Sequence, residues 1–262
     1  MKRVIKKLIF LCLGIFLLFG INMPVQAKGA VKDTRPTYTI YVNRTQNCIT
    51  VMEQKADGTS AVAKVMVCSC GRAGHETPEG VFSTSDYYDW RLMVDDTYGK
   101  YAVRFNNKIL FHSVPYIQPE DDTLEWDQYN LLGQNASLGC VRLAVADAKW
   151  IYDNCKVGTT VVVYSGDKII GDVTKPASIY IPENSPYRNW DPTDITINNP
   201  WLTAGTAPQP VTPVIVSIDT FDHVAYADRY ADVKAAFGYD KTALYTHYTT
   251  CGIYEGRLAE FH

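Results

Sequence analysis

Thr37-Tyr38-Thr39-Ile40-Tyr41-Val42, then Asn43-Arg44-Thr45-Gln46-Asn47, then Cys48-Ile49-Thr50-Val51-Met52: two runs of branched and aromatic residues flank a polar turn. Such side chains suit a pleated, half-buried surface, so the stretch predicts a hairpin of strands at 37–42 and 48–52. Asp57-Gly58 marks a second turn, and a third strand is expected at 61–67. Further strands are expected around 81–85, 101–105, 109–111 and 159–164. Ala144, Ala148, Ile151 and Tyr152 recur at helical spacing and predict a helix over 144–154. Strands without regular intervening helices make the chain mainly β, an antiparallel or mixed sheet, sandwich or barrel, and not a doubly wound fold.

Working outward, the N-terminus carries Lys2, Arg3, Lys6 and Lys7, then an apolar run of 14 residues from Leu8 to Ile21. Pro24 breaks the run, and Val25-Gln26-Ala27 offers small residues for cleavage. This layout predicts a secretory signal peptide over 1–27. The run is shorter than the ~20 residues that span a bilayer, so no stable membrane span is expected after processing. Processing would shift the formal charge from −3 to −7, because the leader holds four cations and no acids. An acidic exported chain is a poor partner for nucleic acid, where basic surface supplies most of the affinity.

Past Ser165 the composition turns rich in Pro, Asn and Thr, and 166–220 reads as an extended linker with little core of its own. In 221–262, Val224, Tyr230, Val233, Ala236 and Phe237 fit one amphipathic helix ending at Gly238. Ala243, Leu244 and Tyr248 fit a second, ending at Gly252. This small helical module resembles a short repeat on surface proteins of Gram-positive bacteria, which implies a cell-envelope component as partner, or docking on the catalytic domain.

Six cysteines follow the leader: Cys48, Cys68, Cys70, Cys140, Cys155 and Cys251. Cys68-Ser69-Cys70 lacks the two-residue gap of a redox or zinc pair, and no metal-ligand cluster is visible. Most read as buried thiols, with one optional bridge. Cys140 differs. It follows Gly139 in Ser137-Leu138-Gly139-Cys140-Val141-Arg142-Leu143, where a glycine permits a sharp bend. Such a bend presents a thiol and aims backbone N–H groups at one point, as an oxyanion requires. Arg142 alternates to the face of Cys140, where it would lower the thiol pKa and bind a substrate carboxylate. His112, in Phe111-His112-Ser113-Val114-Pro115-Tyr116, ends an apolar strand 28 residues upstream of Cys140. A nucleophilic thiol needs such a base, oriented by a third group. No acid is placed for that, so a backbone carbonyl such as that of Ser113 is the candidate. Taken singly, each residue is equally at home as a structural one.

Together the segments resemble the L,D-transpeptidase catalytic domain, the YkuD-like family, over about 37–165. Gly71-Arg72-Ala73-Gly74-His75-Glu76-Thr77-Pro78-Glu79-Gly80 resembles that family's Gly-x-x-Gly-x-x-Thr-Pro-x-Gly segment. The His112 and Cys140 segments resemble its catalytic histidine and nucleophile segments, in the same order. The resemblance implies a β-sandwich with one or two helices and the cysteine on its rim. It implies peptidoglycan stem peptides as substrate, 3→3 cross-linking through a Cys140 thioester, His112 as acid and base, and no cofactor. Gly139 and Cys140 N–H groups would hold the oxyanion, with Ser137 and Ser113 in support. Tyr98 and Tyr101, near Trp90 and Arg91, are candidates for substrate contact. L,D-carboxypeptidase or cysteine peptidase activity and a non-catalytic wall-binding role remain alternatives. Two departures stand out. Leu138 occupies a position where the family usually has histidine, and the His–Cys gap is long, which makes 117–135 an insertion expected as a lid, a rim or a plain surface loop.

Overall fold

The computed structural model describes residues 35–196, 198–203 and 216–252. The expected leader at 1–27 lies outside them. Nine strands follow one another as β1 Thr37–Asn43, β2 Cys48–Gln54, β3 Ser60–Val67, β4 Gly80–Ser83, β5 Tyr87–Leu92, β6 Tyr98–Asn106, β7 Ile109–Ser113, β8 Val141–Leu143 and β9 Thr160–Tyr164. Short helix α1, Trp126–Tyr129, precedes β8, and α2, Val145–Asn154, follows it. Then come α3 Pro200–Thr203, α4 His223–Arg229, α5 Ala231–Phe237 and α6 Lys241–His247.

The strands form two sheets, ordered β3-β2-β1-β9-β4 and β5-β6-β7-β8. The opening hairpin is as expected, with β1 antiparallel to β2 from Thr37↔Gln54 to Asn43↔Cys48. Alternation along β1 buries Tyr38, Ile40 and Val42, which meet Ile49, Val51, Met66, Val161 and Val163 of the same sheet. Val103, Phe105, Phe111, Val141 and Leu143 of the other sheet join them, with Ala148 and Ile151 of α2. Each such side chain taken from water contributes roughly 1.5–3 kcal/mol. Phe105 and Phe111 pack with ring centroids 4.5 Å apart and planes tilted by 32°.

Strand β5 was not expected. Tyr87-Tyr88-Asp89-Trp90-Arg91-Leu92 alternates Tyr88, Trp90 and Leu92 against Tyr87, Asp89 and Arg91, yet none of the six is fully buried. Its antiparallel pairing with β6, Tyr87↔Val103 to Leu92↔Tyr98, makes it a strand. Of the two sheet types expected, antiparallel or mixed, both sheets are mixed. β1 runs parallel to β9 and β7 parallel to β8, in register His112↔Arg142.

The segment expected as an extended linker departs most. Ile181 and Trp201 are buried in a second core with Val114, Tyr116, Leu124, Tyr129, Leu132 and Val145. Polar side chains fasten it. Asn130 Nδ2 donates to Ile181 O at 2.9 Å, and Ile181 N–H donates back to Asn130 Oδ1 at 2.8 Å. Asp191 Oδ2 accepts the Val145 N–H at 2.8 Å, and Thr193 Oγ1 accepts the Ala146 N–H at 3.0 Å. Helix α2, whose own N-cap Ala144 offers no side-chain acceptor, is thus capped from a distance. Lys100 of β6 is buried and contacts Asp121 at 2.5 Å and Asp194 at 2.7 Å. Residues 117–135 likewise form no free lid. Leu124, Tyr129 and Leu132 anchor them in the second core.

In the C-terminal module, Val216, Phe221, Tyr226, Ala227, Val233, Leu244 and Tyr248 make a separate small core. The first helix expected there is two, α4 and α5, divided at Tyr230. Asp222 and Asp240 cap α4 and α6 by accepting from Ala225 and Ala243 N–H. Tyr248–Gly252 closes the described chain as a π-helical turn.

Candidate active site

Parallel pairing of β7 and β8 explains how residues distant in sequence meet. In register, Phe111 lies opposite Val141 and His112 opposite Arg142. Successive side chains alternate between faces, so Phe111 and Val141 enter the core. Leu110, His112, Cys140 and Arg142 turn to the other face, where all four line a cleft of about 510 Å³.

The nucleophile turn is built from backbone and one hydroxyl. Cys70 O accepts the N–H groups of Ala136 at 2.9 Å and Ser137 at 3.0 Å. Ser137 Oγ accepts the Gly139 N–H at 3.0 Å and donates to Cys140 O at 2.5 Å. Gly139 has φ of 116°, a conformation closed to side-chain-bearing residues in ordinary circumstances. Beneath it, Thr77 Oγ1 donates to Gly139 O at 2.8 Å and accepts the Gly71 N–H at 2.9 Å. The glycine- and threonine-containing loop therefore shapes the turn. The Gly139 N–H, expected to face an oxyanion, is instead directed at Ser137 Oγ. The hydroxyl lies within the turn and captures the nearest amide.

Cys140 is a free thiol, partly exposed, with Sγ 3.9 Å from Lys108 O. Burial pushes its pKa up, while the Leu110 backbone N–H and the Arg142 guanidinium pull it down. His112 is 2% exposed. Its Nδ1 lies 2.6 Å from Ser113 O. A carbonyl only accepts, so Nδ1 carries the proton and Nε2 keeps its lone pair. Burial, then the nearby Arg142 charge, lowers the His112 pKa to about 4. Burial thus favours the uncharged form of each group, a thiol and a neutral imidazole.

Arg142 is buried, donates from Nη1 to Gln128 Oε1 at 2.8 Å, and leaves Nε buried without a hydrogen-bond partner. Gln128 comes from the insertion. Sequence reading gave it no role, because nothing in its neighbourhood distinguishes it. Gly99 is the other omission. A Cβ there would lie 2.7 Å from His112 Nδ1 and 2.5 Å from Met93 Cε, so only glycine lets β6 pass beside the ring. A lone glycine inside an aromatic-rich strand was the available signal.

Tyr98 and Tyr101 do not line the cleft. Tyr98 pairs through its backbone with Tyr116 and packs on the second core. Tyr101, at φ 50°, turns its ring toward Tyr152 at 5.5 Å. The two tyrosines pack on the core, the other place open to aromatic residues beside the site. Arg91, Met93, Asp95, Arg104, Lys108 and Leu138 line the walls instead. Leu138 is 37% exposed and meets the cleft with its side chain, so its substitution for histidine changes the wall itself.

Two mixed sheets with a cysteine and a histidine on one cleft define the class of L,D-transpeptidase catalytic domains, and residues 37–163 match that domain family, YkuD. The chain belongs to the L,D-transpeptidase family. It is 31% identical to the Bacillus subtilis (strain 168) protein named "Putative L,D-transpeptidase YciB", across 52% of this chain and 76% of that protein. Among solved structures it is similar to an L,D-transpeptidase from Mycobacterium tuberculosis H37Rv, at 26% identity over 49% of this chain and 58% of that one, with a TM-score of 0.40. An L,D-transpeptidase from Mycobacterium smegmatis gives 23%, 49%, 59% and 0.40 respectively. This chain thus spans under two thirds of those solved relatives.

Proposed function

We propose that the protein is an exported L,D-transpeptidase that forms 3→3 cross-links between peptidoglycan stem peptides, with Cys140 as nucleophile and His112 as acid and base. The observation that carries this is the parallel β7–β8 register, which turns Cys140 and His112 to one cleft while Ser113 O fixes the tautomer. Nε2 takes the thiol proton as Sγ attacks the carbonyl of the third stem residue. The bond to the terminal D-alanine breaks, and its nitrogen leaves with that proton. A thioester remains on Sγ. An amine of a second stem then attacks, the C–S bond breaks, and the product carries a new amide. The Cys140 N–H is the backbone donor proposed for the oxyanion, and loss of such a donor typically costs ~3 kcal/mol of barrier. Arg142, a cation on the cleft wall, suits a substrate carboxylate. Among the described residues no helix is long and apolar enough to cross a membrane. The module at 221–262, with a core of its own, is proposed as an envelope-binding unit.

The test is purified protein with a disaccharide-tetrapeptide, read by mass spectrometry. A cross-linked dimer supports transfer, and tripeptide alone makes the protein a carboxypeptidase. Cys140→Ala is expected to abolish thioester formation with a carbapenem, and His112→Gln to slow it by about 10²–10⁴-fold. An adduct that persists in Cys140→Ala overturns the assignment of the nucleophile.

A further inference from the structure

The cleft wall carries four basic side chains, Arg91, Arg104, Lys108 and Arg142, and a single acid, Asp95. The cations suit the carboxylates of a donor stem. They equally repel an acceptor whose amine arrives as an ammonium ion. Asp95 sits in the β5–β6 hairpin, where Met93 N–H donates to Thr97 O at 2.8 Å and Thr97 Oγ1 donates to Asp95 Oδ1 at 2.8 Å. Among the described residues its carboxylate joins no ion pair. Its charge reaches His112, Cys140 and Arg142 alike, raising the pKa of each.

We propose that Asp95 receives the ammonium group of the acceptor stem and so sets the partition of the thioester between an amine and water. This rests on the Cys140–His112 reading above. The bound ammonium gives one proton to His112 Nε2, and the freed lone pair attacks the thioester carbon. The N–C bond forms, the C–S bond breaks, and a second nitrogen proton passes to Sγ. The proton on His112 returns to solvent.

The experiment compares wild type with Asp95→Asn and Asp95→Glu. Each is given the disaccharide-tetrapeptide near neutral pH, with and without added hydroxylamine, a nucleophile that is uncharged there. Dimer, hydroxamate and tripeptide are counted by mass spectrometry, and carbapenem acylation is timed in parallel. Asp95→Asn is expected to lower the dimer-to-tripeptide ratio about tenfold. Hydroxamate should hold within about twofold and acylation should not slow, because removing the charge favours the thiolate. Asp95→Glu should recover most of the ratio. An unchanged ratio in Asp95→Asn, or equal losses of dimer and hydroxamate, overturns the proposal. So does a wild type that acylates yet yields only tripeptide. A wild type that forms no adduct takes down the cysteine mechanism as well, which separates the two failures.

Discussion

The two cores of residues 35–203 are made by different means. The first lies among β-strands and α2, and its members follow from alternation: Tyr38, Ile40 and Val42 on one strand, Val161 and Val163 on its neighbour. The second gathers an insertion and a returning segment around Tyr116, Tyr129, Ile181 and Trp201. Here the backbone is irregular, and polar side chains hold it: Asn130 on Ile181, Asp191 on Val145, Lys100 between Asp121 and Asp194. Apolar periodicity announces a core only where regular elements present it. Where side chains tie down irregular backbone, composition reads as linker and the packing goes unseen.

The sharpest way to break this comparison is Ile181→Ala. In a free linker it would cost nothing. As a fully buried side chain it should cost about 3–4 kcal/mol, visible as a lower urea midpoint.

Acid titration sets the two regions against each other. His112 has a folded pKa of about 4 against 6.5 when unfolded. The unfolded chain therefore binds more protons between those values, and stability present above pH 6.5 is lost toward pH 4, on the order of 3 kcal/mol in all. Asp191, buried among its hydrogen bonds, is raised from 3.8 to about 6. Its sign is opposite: the folded chain binds the extra proton, so acidification from pH 6 to 3.8 adds a comparable amount. His112→Asn should gain stability relative to wild type as pH falls, and Asp191→Asn should lose it faster. Denaturant unfolding from pH 7 to 4 checks both. Parallel curves for all three proteins would mean that neither group titrates as its burial demands.

Gly99→Ala acts on the cleft side alone. With Nδ1 only 2.7 Å from the added methyl, the ring must shift. Displacement of a reacting group by about 1 Å typically lowers rate about a hundredfold, so carbapenem acylation should slow by that order. The smallest effect belongs to Lys149→Ala, which removes an exposed pair with Asp153 at 2.7 Å on α2. Lys149 also lies 5.0 Å over the Tyr101 ring, and a loss above about 1 kcal/mol would mean that surface contacts fasten this fold as the buried ones do.

Much of the site was legible because its residue types are chemically specific. A thiol after a glycine and an imidazole ending an apolar strand point to acyl transfer once they occur in the right order, and the Ser113 carbonyl was the orienting group left when no acid offered itself. The neighbours that tune the pair were not legible. Gln128 lies in the single turn of α1 and Asp95 at a hairpin tip, both too short for a period to relate a residue to a face. Aromatic residues near a site suggest contact, whereas Tyr98 is held by its backbone pairing with Tyr116 and Tyr101, left-handed, packs on Tyr152. Strand β5 is an edge strand whose aromatic face is only half-buried, and its pairing with β6 rather than a buried apolar run makes it a strand.

The family match stops at residue 163, but the folded unit does not. A fragment trimmed to that boundary would lose Asp191 and Thr193 from the head of α2, leave Lys100 with one counter-charge in place of two, and open Tyr129 and Leu124 to water. Anyone isolating this enzyme by its homology limits would be handling a domain with one wall removed. The second core runs on through α3, Pro200–Thr203, where Trp201 is buried.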